Sequence, residues 1–114
     1  MCGILGHLAF RPDARISEVQ LKSLNQLLHH RGPDSQGIYL NDSIALGMTR
    51  LSIIDLPGGN QPIFSDDSRY VIIFNGEIYN HNELRKDLLK KNYPIFSRSD
   101  TEVLLYSFIE YGPD

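Results

Sequence analysis

Cysteine is nearly absent from this chain, and the one present stands at position 2 of 114 residues. A lone thiol excludes an internal disulfide, so the staple framework of small secreted domains is unavailable and the expected compartment is the reducing cytoplasm. The four histidines, His7, His29, His30 and His81, lack the cysteine or carboxylate spacing of a metal centre, and no metal site is expected. Positive charge is sparse too. Eleven Lys and Arg against 14 Asp and Glu leave a net charge of -3, and the densest basic pair, Lys90-Lys91, shares its segment with Glu83 and Asp87. That reads as a solvated helix face, and no nucleic-acid partner is expected. No apolar run approaches the roughly 18 residues of a membrane span, and the N-terminus has neither a basic segment nor a long apolar one, so no membrane partner is expected. Asn41-Asp42-Ser43 matches a glycosylation sequon, but without a secretory signal it reads as a turn.

What is there is an ordinary globular composition, 41% hydrophobic and 22% charged, in a length that makes one domain and buries roughly two-thirds of its unfolded surface. Residues 1–10 read as a strand in which Gly3 and Gly6 remove bulk where something approaches the backbone. Ser17 with Gln20 is a capping-box pair, and Leu21, Leu24 and Leu28 follow at helical spacing, which predicts a helix from about Ser17 to His30 stopped by Gly32-Pro33. Short β-type runs over 36–56, broken at Asn41-Asp42, predict a hairpin or meander ending in Pro57-Gly58-Gly59. The continuous apolar run Tyr70–Phe74 predicts a central strand covered on both faces. Two more helices are predicted, one over about His81–Lys91 with Asn80 and Glu83 as a cap pair, the other from a Ser99–Glu102 capping box to Gly112-Pro113. There are no internal repeats.

Several of these residues carry chemistry if they meet. Cys2 becomes the N-terminus if Met1 is trimmed, and one residue then holds both a thiol and an α-amine. Free groups of these kinds titrate near ~8.5 and ~7.7–8.0, close enough for the amine to serve as the thiol's base. Alternatively, Cys2 is a small hydrophobe at a strand start. Asn75-Gly76 reads either as a type I′ turn or, at a strand end, as an oxyanion site made from a side-chain amide and a backbone N–H. Arg50, a charge inside an apolar stretch, is a surface residue or a bidentate fork for a carboxylate. Asp100 compensates a helix dipole or receives an ammonium. His29-His30-Arg31-Gly32-Pro33-Asp34 reads as a helix end and tight turn.

The strings MCGILG, HRGPDSQGIYL, TRLSIIDL, GGNQPIF, FNGEIYNHNELR and SRSDTEVLL occur in the order and spacing of one family. Over essentially all its residues the chain resembles the class II glutamine amidotransferase domain, and most closely that of glutamine-hydrolysing asparagine synthetases. The related phosphoribosyl-transferring and glucosamine-forming amidotransferases place a tryptophan in the arginine segment, and this chain has none. The resemblance implies an α+β fold, the αββα sandwich of N-terminal-nucleophile hydrolases. It implies that Cys2 attacks the glutamine carboxamide and that Asn75 with Gly76 holds the oxyanion. It also implies that Arg50 clamps the α-carboxylate, that Asp100 and Glu77 receive the α-ammonium, and that backbone groups of Ile53 and Ile54 assist.

The glutaminase step is then expected to need no cofactor, while ATP and magnesium serve a separate synthetase domain, in cis or in trans, that takes up the ammonia. The family's domain continues beyond the equivalent of Asp114. Residues 1–114 are therefore expected to form its N-terminal part, with incomplete sheets and a tendency to associate with further copies. Two other readings remain at this point: a catalytically silent glutamine-binding or assembly module, and a hydrolase of another amide. The acceptor is open as well, since enzymes that amidate sugars or secondary metabolites share the domain.

Overall fold

A computed structural model describes residues 2–51 and 59–114; Met1 and residues 52–58 lie outside that description. The described strands are β1 (Gly3–Leu8), β2 (Ser35–Leu40), β3 (Ile44–Arg50), β4 (Ile63–Phe64) and β5 (Val71–Ile72), and the α-helices are α1 (Glu18–Gln26), α2 (His81–Lys90) and α3 (Asp100–Tyr111). Strands β1, β3 and β2 form an antiparallel sheet with β3 in the middle, while β4 and β5 form a separate antiparallel pair. The β2–β3 hairpin turns on Asn41, whose side-chain oxygen accepts from the N–H groups of Ser43 at 2.9 Å and Ile44 at 2.7 Å. This is the self-bonding that makes Asn a turn residue.

Side chains alternate across a strand, so the first sheet has two distinct faces. Helix α1, capped by Ser17 and Gln20 as the sequence predicts, lies on one of them. Gly47 leaves room there for Asn25, which donates to the Met48 carbonyl at 3.3 Å, and the Thr49 hydroxyl donates to the Leu28 carbonyl at 3.0 Å. On the other face Tyr39 meets Phe64 of β4 edge-on at 5.6 Å. Gly37 on that face lies so close to the Gln61 carbonyl that a side chain there would overlap it. Helix α3 in turn packs on β5, and α2 packs on α3 around Leu88, Val103 and Tyr106. The α2–α3 pair is closed at its far end by Glu110, which accepts from Tyr93 at 2.6 Å and from Lys91 at 2.9 Å.

The structure departs from the sequence expectations in four places. Helix α1 ends at Gln26, and a short 3-10 turn, His29–Arg31, replaces its predicted last turn. The run Tyr70–Phe74 is not a long central strand, because side chains take the backbone donors at both ends. Tyr70 N–H goes to the Ser65 hydroxyl at 3.0 Å and Phe74 N–H to the Gln61 side chain at 2.6 Å, leaving a two-residue strand. Asn80 makes no side-chain cap on α2. Glu102 does not close a capping box with Ser99; its buried carboxylate accepts instead from Phe96 N–H at 2.9 Å, Ser97 N–H at 2.8 Å and the Ser97 hydroxyl. That anchors the loop ahead of α3, whose N-cap Ser99 accepts from Thr101 N–H.

Candidate active site

A hollow of about 140 Å³ opens where the start of β1, the end of β3, the segment after β5 and the first turn of α3 converge. It is lined by Cys2, Arg50, Asn75, Gly76 and Asp100, five of the residues singled out by the sequence. Three wider hollows, about 400 Å³ beside His30, Arg31, Pro33 and Leu51, about 340 Å³ between β5 and α3, and about 210 Å³ beside Ser65, Tyr93 and Tyr106, contain no thiol.

Cys2 is half-buried immediately before β1. Its carbonyl accepts two hydrogen bonds from distant parts of the chain, from Arg31 Nε at 3.2 Å and from Asn75 Nδ2 at 3.0 Å. The Asn75 amide has a second hydrogen to offer a further acceptor. Arg31 reaches this position because Gly32 lies directly against the backbone of Thr49 and Arg50, where a Cβ would collide with main-chain atoms. The chain is then zipped to the end of β3, with Asp34 N–H donating to the Arg50 carbonyl at 3.1 Å. Reading residues 29–34 as only a helix end and turn therefore missed Arg31; the close-packing glycine beside it was the available signal.

Arg50 closes β3, and its guanidinium rests on the bare Cα of buried Gly59, where a Cβ would stand 2.6 Å from one terminal nitrogen and 2.7 Å from the other. Asp100 opens α3, where the helix N-terminus favours an anion. Its Oδ2 accepts from Ile78 N–H at 3.0 Å, so this carboxylate ties the Asn75–Ile78 segment to the helix. One cation and one anion thus line the same hollow as a thiol and an amide donor. Gln61 and Thr101 line it too, and neither was assigned a role from sequence. Glu77 is exposed and is not among the residues lining the hollow. The expectations for Ile53 and Ile54, and for loss of Met1, fall on residues outside those described. Among the described residues no helix is long and apolar enough to cross a membrane.

A family model described as a glutamine amidotransferase domain matches residues 1–114. Asparagine synthetase [glutamine-hydrolyzing] 1 of Bacillus subtilis (strain 168) is 45% identical over 113 residues, covering 97% of this chain and 18% of that protein. The Arabidopsis thaliana protein of the same name is also 45% identical, over 114 residues that cover all of this chain and 19% of that protein. Asparagine synthetase B [glutamine-hydrolyzing] of Escherichia coli (strain K12) is 40% identical over 114 residues, 20% of its length. The chain spans about one fifth of the curated relatives it matches. A thiol, an amide donor and a pair of opposite charges in one hollow, together with a family match over residues 1–114, lead to one assignment: this chain belongs to the glutamine amidotransferase domain family.

Proposed function

We propose that this domain hydrolyses glutamine to glutamate and ammonia through a thioester on Cys2, as the glutaminase part of an asparagine synthetase-like enzyme. The observation that carries the proposal is the convergence of Cys2, Arg50, Asn75-Gly76 and Asp100 on one hollow from four separate stretches of chain. In this reading Met1 is removed, the Cys2 thiol adds to the carboxamide carbon, and its proton passes to the α-amine. The amine then delivers the proton to the departing nitrogen, ammonia leaves, and water with the same amine as base cleaves the thioester. Asn75 and the Gly76 N–H receive the charge that develops on oxygen. Arg50 takes the α-carboxylate, with backbone groups of Ile53 and Ile54 beside it. Asp100 takes the α-ammonium, and Glu77, one residue beyond Gly76, is the second carboxylate for it. Opposite charges at fixed separation select an α-amino acid and aim its amide at the thiol.

The ammonia goes to an acceptor carboxylate such as aspartate, activated with ATP and magnesium in a synthetase domain. In this reading those groups act in the synthetase domain. No step in this domain is routed through them. The αββα sandwich belongs to the same proposal, and the order of α1, the β1–β3–β2 sheet, the β4–β5 pair and α3 supports it. A cytoplasmic location fits an amino-acid biosynthetic role.

The test is covalent trapping. An electrophilic glutamine analogue should add one equivalent of mass to the wild-type protein at Cys2, with Met1 missing, and none to Cys2→Ala, which should still bind glutamine. Equal labelling of both proteins refutes the assignment of Cys2.

A further inference from the structure

Gln61 sits where three parts of the molecule meet. Its backbone carbonyl is pressed against Gly37 of β2. Its side-chain oxygen accepts from Phe74 N–H at 2.6 Å, and its side-chain nitrogen donates to the Thr101 hydroxyl oxygen at 3.3 Å. A backbone N–H can only donate, so the amide oxygen must face Phe74 and the NH2 group must face Thr101. Phe74 immediately precedes Asn75-Gly76, and Thr101, itself buried, immediately follows Asp100. The segment 74–78 is therefore suspended from the first turn of α3 at two points: directly at Ile78 by Asp100, and at Phe74 through the amide of Gln61. A side chain lacking either the donor or the acceptor breaks one arm of that relay.

We infer that Gln61 is a positioning residue that holds the Asn75-Gly76 oxyanion donors at a fixed distance from the Asp100 clamp, so that it governs turnover more than affinity. The inference rests on the glutaminase reading above. Gln61 touches the floor of the hollow, yet its hydrogen bonds go to the protein, so its effect on the substrate passes through the segment it holds. Misplacing catalytic donors by an ångström can cost about a hundredfold in rate while leaving the charged grip on the amino-acid end intact.

The experiment uses the full chain and counts active sites by labelling Cys2 with the electrophilic glutamine analogue. Gln61→Met, close in size but without the amide, should lower kcat per labelled site by about 10- to 100-fold with KM within about twofold. Thr101→Val should lower kcat in the same direction, Thr101→Ser should restore it, and the Gln61→Met/Thr101→Val pair should be no worse than Gln61→Met alone, because both cut one path. Hydrogen exchange of the peptide carrying Phe74 should accelerate in Gln61→Met. An unchanged kcat per labelled site, additive losses, or a fall only in the number of sites labelled overturns the inference and leaves the glutaminase reading standing. A wild-type protein that is neither labelled nor active instead removes that reading, and the inference about turnover with it. Unchanged exchange at Phe74 overturns the relay alone.

Discussion

Gly59→Ala is the most economical test of how Arg50 is held, because it leaves every polar group of the hollow in place. A Cβ at position 59 would stand 2.6, 2.7 and 2.9 Å from Nη2, Nη1 and Cζ of Arg50. Carbon makes comfortable contact at roughly 3.5–4.0 Å, so the guanidinium must retreat by about 1 Å. It is the far end of a flexible side chain, so the retreat itself costs the fold little, on the order of 1 kcal/mol or less against the 1–3 kcal/mol of overpacking in a rigid core. A displaced fork should lose one of its two charged hydrogen bonds to the substrate carboxylate, worth about 1.5–3 kcal/mol. At 1.4 kcal/mol per factor of ten, glutamine affinity should fall about 10- to 100-fold. Calorimetric titration on a Cys2→Ala background measures this without turnover, and kcat in the Cys2 form should change little, since the clamp acts on ground and transition states alike. The double variant with Arg50→Ala should bind no more weakly than Arg50→Ala alone. An affinity within twofold of the parent, with melting temperature unchanged, would refute the packing argument.

Asn75→Ala should lower kcat by about 100-fold or more with little change in KM, because its amide acts mainly on the developing oxyanion; a change confined to KM would remove that role. Gly37→Ala should destabilise the fold by about 3 kcal/mol or more, since the new methyl meets the Gln61 backbone carbonyl and not a movable side chain, and denaturant unfolding at the wild-type midpoint would contradict this. The Glu110 carboxyl is held below its ordinary value of 4.5, first by the hydrogen bond from Tyr93 and then by Lys91. Its stabilising increment is therefore present above the ordinary value and lost as pH falls through the lowered one. The stability gap between wild type and Tyr93→Phe should narrow on acidification, and a gap independent of pH over that window would count against it.

Residues whose role is local were legible in the sequence. Ser17 and Gln20 cap α1 as expected, Asn41 turns the β2–β3 hairpin, and α3 runs to Gly112, which adopts the φ of +80° that favours glycine. The five hollow-lining residues were legible for another reason: their motifs recur together in a known family, and the fold brings them together from positions 2 to 100. What stayed hidden depends on partners far along the chain. Nothing local marks Tyr70–Phe74 as a shortened strand, because the groups that end it belong to Ser65 and Gln61. Arg31 looked like a helix-end charge because its acceptor, the Cys2 carbonyl, lies 29 residues away. Glu102 fitted a capping box by spacing, but the two loop N–H groups of residues 96 and 97 compete for the same carboxylate.

The bond from Ile78 N–H to Asp100 bears on which amides this domain tolerates. Under the proposed mechanism, the carboxylate that recognises the amino end of the substrate is also the tether of the loop that must stabilise its far end. An amide without an α-amine leaves that carboxylate to serve the loop alone. An amide with one draws it into shared duty and fixes its rotamer by charge. Discrimination should then be paid out in rate as well as in occupancy: the des-amino analogue of glutamine should stay a slow substrate even at concentrations that fill the site. Raising the level of a competing simple amide would not overcome such a filter. Under that mechanism, coupling recognition to reactivity would shield the domain from the background of other carboxamides.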